Sequence, residues 1–247
     1  MPEHEIWLTR LFNDHLAGLG NSLLSIFNIH AAHPGRPWTN FITMQILVAA
    51  IIVVLFAILR PRLSMDRPGK MQHIFEAIYT FLRGEATDSI GHEGPRFLPF
   101  LGTLFFFILF SNLIGIIPGF ESPTMNPSVP AGCALLVFAF YNFMGFKQQG
   151  IFAYLKHFAG PIWWMAPLMI PIELVSHMAR PLSLTIRLFA NMLAGDKVTV
   201  AFLGLTYLIV PAAMMGLHVF VSFLQAYIFV LLTMIYLSET VPHEQHS

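Results

Sequence analysis

"APLMIPIELVSHMARPLSLTIRLFANMLAGDKVTVAFLGL", residues 166–205, decides how the rest of the chain is read. As a helix this almost continuously apolar stretch would be roughly 60 Å long. The hydrocarbon core of a bilayer is only about 30 Å thick. Pro171 and Pro181 are points at which such a helix can kink, yet the part from Pro181 to Leu205 alone outruns a perpendicular crossing. A second apolar run, 207–238, follows and would reach roughly 48 Å. Two overlong helices joined near Leu208–Pro211 must tilt by about 60°, where about 20° is usual, or lie partly along the membrane plane. Something other than lipid is expected to pack along such a pair.

The whole chain agrees with a membrane reading. Of its 247 residues 56% are hydrophobic and 11% charged, whereas soluble domains carry about 25% charged residues. Thirteen basic residues balance thirteen acidic ones, which argues against a nucleic-acid partner. Cys133 is the single cysteine and reads as a small buried hydrophobe. The start, "MPEHEIWLTR", has acids where a secretory signal carries basic residues, so no cleaved signal is expected. No linker, heptad array or repeat divides the chain. It is read as a single all-α polytopic membrane domain, residues 1–247.

Working outward, "FITMQILVAAIIVVLFAIL", 41–59, is a first span ended by the charged, proline-bearing "RPRLSMDRPGK". Residues 71–90 place Ile74, Ile78, Phe81 and Leu82 at helical spacing against a polar face, the pattern of an interfacial amphipathic helix. From Phe97 to Phe146 the only charge is Glu121, in the connection of a transmembrane hairpin over 97–146. The segment 60–96 holds Arg60, Arg62, Arg67, Lys70, Arg83 and Arg96; 118–130 holds no Lys or Arg, and 147–165 holds Lys147 and Lys156. Basic residues favour the cytoplasmic side. The N-terminal segment 1–40 and the hairpin connection are therefore expected outside, and 60–96 and the C-terminus inside.

Polar residues interrupt the two long helices in register. Glu173 and Arg187 lie four helical turns apart, on nearly one face, roughly 21 Å from each other. Ser176, Ser183 and Asn191 share that face, and on the following helix His218 and Gln225 are seven residues apart with Ser222 between them. Most have a plain alternative. Ser176, Ser183 and Ser222 suit bonding to their own backbone; Asn112, Asn191 and Gln225 suit interhelical hydrogen bonds; His177 suits packing, and Arg180 could snorkel to the interface. Arg187 has no such reading. A charge at mid-span costs about 2.5–3.5 kcal/mol even on the mildest scale, and a guanidinium does not give up its proton. It repels cations and attracts a carboxylate, and with no close acid in the chain that carboxylate is expected on another subunit. The topology puts Glu173 toward the inside and Asp196 and His218 toward the outside, the arrangement expected of a proton path interrupted at one point.

"RPLSLTIRLFANMLAGD" with "PIELVSHMA" before it and "LQAYIFVLLTMIYLS" after it closely resembles subunit a of F-type ATP synthases. "FLPFLGTLFFFILFSNLIGIIPG" resembles that family's earlier hairpin, and the likeness covers most of 40–240. The resemblance implies two tilted helices curved against a rotating ring of c subunits, each bearing a buried carboxylate. It implies that Arg187 faces those carboxylates and blocks leakage between two offset half-channels, with Asn191 and Gln225 beside it. Asp196, His218 and Asn112 match positions of the outer half-channel, and Glu173 one of the inner. His177, Ser183 and Ser176 form a second tier. Where some members carry an acid three residues after the asparagine, this chain has Gly115; position 196 is Glu or His elsewhere.

The resemblance further implies the peripheral-stalk b subunits and the remainder of the synthase as partners, and a bacterial inner membrane as the location. No Gly-x-x-x-x-Gly-Lys stretch occurs, so nucleotide chemistry is expected on other subunits; no cofactor or metal is expected, and the chain is read as non-catalytic. The competing reading is a stand-alone secondary transporter that binds an anionic substrate at Arg187. Against it, the sequence shows neither an internal repeat nor paired broken helices.

Overall fold

The computed structural model describes residues 5–26, 36–64, 69–117, 119–150, 166–205 and 209–240. Lys156, Arg67, the junction at Leu208 and the final residues, all used in the topology above, lie outside them. The described residues form seven α-helices: α1 (Trp7–Ile26), α2 (Asn40–Leu59), α3 (Lys70–Ile90), α4 (Leu98–Ile114), α5 (Ser128–Gln149), α6 (Ala166–Leu205) and α7 (Ile209–Ser238). Among the described residues, four stretches are long and apolar enough to cross a membrane: Asn40–Arg62, Gly94–Ile114, Ser128–Gln148 and Ala212–Ser238. Helix is the structure such segments must take, because in lipid every backbone N–H and C=O has to be satisfied within the segment.

Burial shows which helix is central. Leu101, Phe105 and Ile108 of α4 are essentially inaccessible, whereas α2 exposes Val53, Val54 and Ile58. α4 packs along α7, and α5 along α6. One core joins them, built from Val137 and Tyr141 of α5, Leu184, Leu188 and Met192 of α6, and Phe229, Val230, Met234 and Leu237 of α7. The α6 contribution recurs every four residues, so this helix buries a narrow stripe. Much of the rest of its surface stays uncovered in the chain alone, including Val175, Leu182 and Ile186.

α6 is not among the four apolar crossings; its five charges, Glu173, Arg180, Arg187, Asp196 and Lys197, set it apart. It nevertheless continues unbroken through Pro171 and Pro181. At 40 residues it is roughly 60 Å long, as its sequence requires.

The amphipathic 71–90 segment is a helix, as its spacing predicts. Leu82, Ala86 and Ile90 are covered by the rest of the chain, while Ile74 and Phe81 are exposed. The corner that follows α3 accounts for the covered stripe. Gly91 ends the helix at φ 88°, and the chain folds back so that Gly94 lies on Ala86. A Cβ at position 94 would stand 2.2 Å from the Ala86 carbonyl oxygen. Close backbone approach therefore selects the small face of α3 for burial.

The N-terminal segment contains a helix, α1, that the sequence reading left unassigned. Asn13 fastens it to the start of α2: its Nδ2 donates to the Trp38 carbonyl at 3.1 Å and its Oδ1 accepts from the Trp38 N–H at 3.0 Å. Asn40 carries the tie onward, accepting from the Ile6 N–H at 3.3 Å and donating to Glu121 Oε2 at 3.3 Å. The start of α2 and the 115–127 connection thus share one end of the bundle.

Gly94→Ala should lower the thermal unfolding midpoint of the detergent-solubilised protein by several degrees, since backbone atoms cannot yield; overpacking of this kind costs about 1–3 kcal/mol. Gly102→Ala, where a Cβ meets nothing within 4 Å, should leave the midpoint unchanged.

Candidate functional site

α6 carries two arginines seven residues apart, on nearly the same face, and the fold treats them differently. Arg180 is neutralised within the chain. Its Nη1 donates to Glu239 Oε2, just beyond α7, and its guanidinium carbon lies 5.0 Å from the Tyr236 ring centroid. This clamp pins the first half of α6 to the end of α7. Arg187 is exposed, and among the described residues it has no ion-pair partner. Tyr236 lies within electrostatic reach of both arginines.

One turn beyond Arg187, Asn191 donates from Nδ2 to Gln225 Oε1 at 2.8 Å. This joins α6 to α7 directly below the exposed charge. Gln225 is buried, and its Nε2 has no partner among the described residues. The two amides are therefore brought together as the sequence pattern suggested, and one donor is left over.

Further along α6, the His218 imidazole packs against Gly195; a Cβ there would lie 3.5 Å from its Cε1 and 3.6 Å from its Nε2. That nitrogen is buried and without a partner among the described residues. Asp196, the next residue on α6, is within electrostatic reach of the ring. Its carboxylate lies 3.8 Å from Lys197 Nζ. Ser222 bonds the His218 carbonyl at 2.7 Å, so its hydroxyl serves its own helix.

Toward the other end of α6, His177 is a packing residue. Tyr141 Oη stands 3.3 Å from both ring nitrogens, Asn142 Oδ1 is 3.0 Å from Nε2, and Phe138 meets the ring edge-on at 5.0 Å. Glu173, one turn earlier, is half-buried and within electrostatic reach of that histidine. Ser176 and Ser183 are exposed. The structure therefore separates Glu173 from the Asp196–His218 pair along α6, with Arg187 between them.

Asn112, near the end of α4, is fully buried. Through Thr124 it joins a row of contacts that sequence reasoning missed. Thr124 Oγ1 is 2.8 Å from Asn112 Oδ1 and 2.7 Å from Ser122 Oγ, and Ser122 Oγ donates to the Ser111 carbonyl at 2.8 Å. The short turn carrying Thr124, Pro123–Met125, packs on α6. Gly115 accounts for the missing acid: a Cβ there would lie 2.7 Å from Ser122 Cβ and 3.0 Å from its N. The loop that completes the cluster occupies the space a side chain would need. Also unforeseen is Tyr227, whose hydroxyl donates to Glu85 of α3 at 3.2 Å. The one legible signal for these partners was Glu239, an acid directly after an apolar run.

Arg180→Gln and Glu239→Gln should each lower the unfolding midpoint by an amount equivalent to about 1 kcal/mol. The double variant should lose no more than the worse single one; fully additive losses in a double-mutant cycle would show that the two side chains act separately.

Comparison with known proteins gives a consistent result. The model of the ATP synthase A chain family matches residues 42–238. An ATP synthase subunit a of Solibacter usitatus is 67% identical over 234 residues, 95% of this chain and all of the relative. The subunit a of Koribacter versatilis is 47% identical over 98% of this chain and 99% of the relative. That of a Sulfurihydrogenibium species is 38% identical over 83% and 98% respectively.

Proposed function

The chain belongs to the ATP synthase A chain family, and we propose on that footing that it is the stationary subunit conducting protons to and from a rotating ring of c subunits. Arg187 carries this reading: it is a permanent charge on a membrane helix, exposed and without an ion-pair partner among the described residues. A buried charge left unpaired is costly, and an opposite charge nearby favours the ionised form of a carboxylate. Arg187 would hold each arriving ring carboxylate ionised. Its fixed positive charge would also stop a proton from passing straight between the two sides.

Asp196, His218 and Asn112 would form the outer half-channel. His218 Nε2 is buried with no hydrogen-bond partner among the described residues, and an imidazole is able both to accept and to donate a proton. Glu173 would serve the inner half-channel at the far end of α6. A proton entering on one side binds a ring carboxylate, travels with the ring, and leaves on the other. The Asn191–Gln225 bond would hold α6 and α7 in register where the ring passes. The subunit itself would be non-catalytic. Its partners would be the ring, the peripheral-stalk b subunits and the rest of the synthase, with the N-terminus outside and the C-terminus inside a bacterial inner membrane. The transporter reading loses its footing, because the likeness to synthase subunits runs over nearly the full chain.

Arg187→Ala should reduce proton-driven ATP synthesis in energised vesicles to background, while assembled complex stays near the unmodified level; substantial synthesis would refute the assignment. Asp196→Ala combined with His218→Ala should slow proton conductance by roughly tenfold or more. Unchanged conductance would remove both residues from the path.

A further inference from the structure

The cluster around Asn112 contains a proton count that does not close. Three contacts of 2.7–2.8 Å join Asn112, Thr124, Ser122 and the Ser111 carbonyl in a row. Each hydroxyl has one proton, and the carbonyl has none. With the Asn112 oxygen facing Thr124, two protons must serve three contacts, and one contact becomes lone pair against lone pair. The same setting leaves Asn112 Nδ2 buried without a partner. The two ends of a carboxamide are told apart by their hydrogen bonds. Turned over, Asn112 donates to Thr124, Thr124 donates to Ser122, and Ser122 donates to the Ser111 carbonyl. Three contacts then have three donors.

Two consequences follow. The row gains a single direction, ending on a backbone carbonyl that cannot reverse it. The Asn112 carbonyl oxygen also takes the place of the unpartnered nitrogen, turned away from the loop into the interior. An acceptor buried there requires a donor, and ordered water is the usual one. The Ser111 hydroxyl, also buried and without a partner among the described residues, is a second such group.

We infer that Thr124 and Ser122 are positioning residues: they fix the Asn112 amide so that its oxygen, not its nitrogen, is offered to water in the outer half-channel. This rests on the proton-conducting reading above. An acceptor oxygen receives a hydrogen bond from water or hydronium and so favours proton entry, whereas an N–H donor in its place opposes an excess proton. Thr124 acts on the path only through Asn112.

The test uses the whole complex in vesicles, with passive proton conductance of the membrane sector measured per assembled complex. Thr124→Val, which keeps the shape and removes the hydroxyl, should lower conductance about fivefold, the effect of one lost hydrogen bond. Thr124→Ser should restore it to within about twofold of the unmodified complex. In an Asn112→Ala background, Thr124→Val should have no further effect. Unmodified conductance in Thr124→Val, or an equal loss when Asn112 is already absent, would overturn the inference. If Thr124→Val does not assemble, Ser122→Ala is measured in both backgrounds, with the same loss expected and the same two contrary outcomes. Arg187→Ala, measured for ATP synthesis in the same membranes, separates the two levels. Retained synthesis would refute the proposed function, whereas an essential Arg187 with an indifferent Thr124 would refute only the positioning role.

Discussion

A positive charge that cannot be discharged, held on an apolar helix with no ion-pair partner among the described residues, constrains everything around it. The comparison with Arg180 makes the point within one helix. Arg180 finds a carboxylate and an aromatic face, and so becomes part of the scaffold. Arg187, two turns on, has no ion-pair or ring-stacking partner among the described residues and is exposed. The same helix thus shows what a structural arginine looks like and what an unfinished one looks like. The second is only tolerable if another molecule completes it.

The architecture around that residue reads as support for keeping it in place. α6 buries a narrow stripe, Leu184, Leu188 and Met192, so its opposite surface stays open along its length. The Arg180–Glu239 clamp lies before the exposed charge and the Asn191–Gln225 bond after it. Both tie α6 to α7, so Arg187 stands on a doubly fastened segment of helix. The unpartnered polar atoms of His218, Gln225, Asn112 and Ser111 all belong to α4 and α7, which pack together. A dry interior penalises such atoms; a hydrated one uses them.

Much of this was legible in the sequence because helices in lipid leave few choices. The lengths of the apolar runs gave α2, α4, α5 and the overlong α6 and α7 within a few residues, and helical spacing alone put Arg187 and Asn191 side by side. The contacts that could not be read are those between segments distant in the chain. Thr124 and Asn112 are twelve residues apart across a connection whose path depends on Gly115 and Ser122. Arg180 and Glu239 are 59 residues apart. No periodicity links such pairs. The burial of Ala86 on α3 was hidden for a similar reason, since Gly94 approaching it is a tertiary event. α1 escaped notice because its anchoring runs through side-chain-to-backbone bonds with Trp38 and not through an apolar run long enough to cross a membrane.

The most direct measurement is a structure of the assembled membrane sector that resolves the Arg187 guanidinium and its surroundings. The account predicts a carboxylate from another subunit within about 4 Å of it, with no acid of its own chain as close. An Arg187 paired with an acid of its own chain, or facing only lipid with the ring elsewhere, would contradict it.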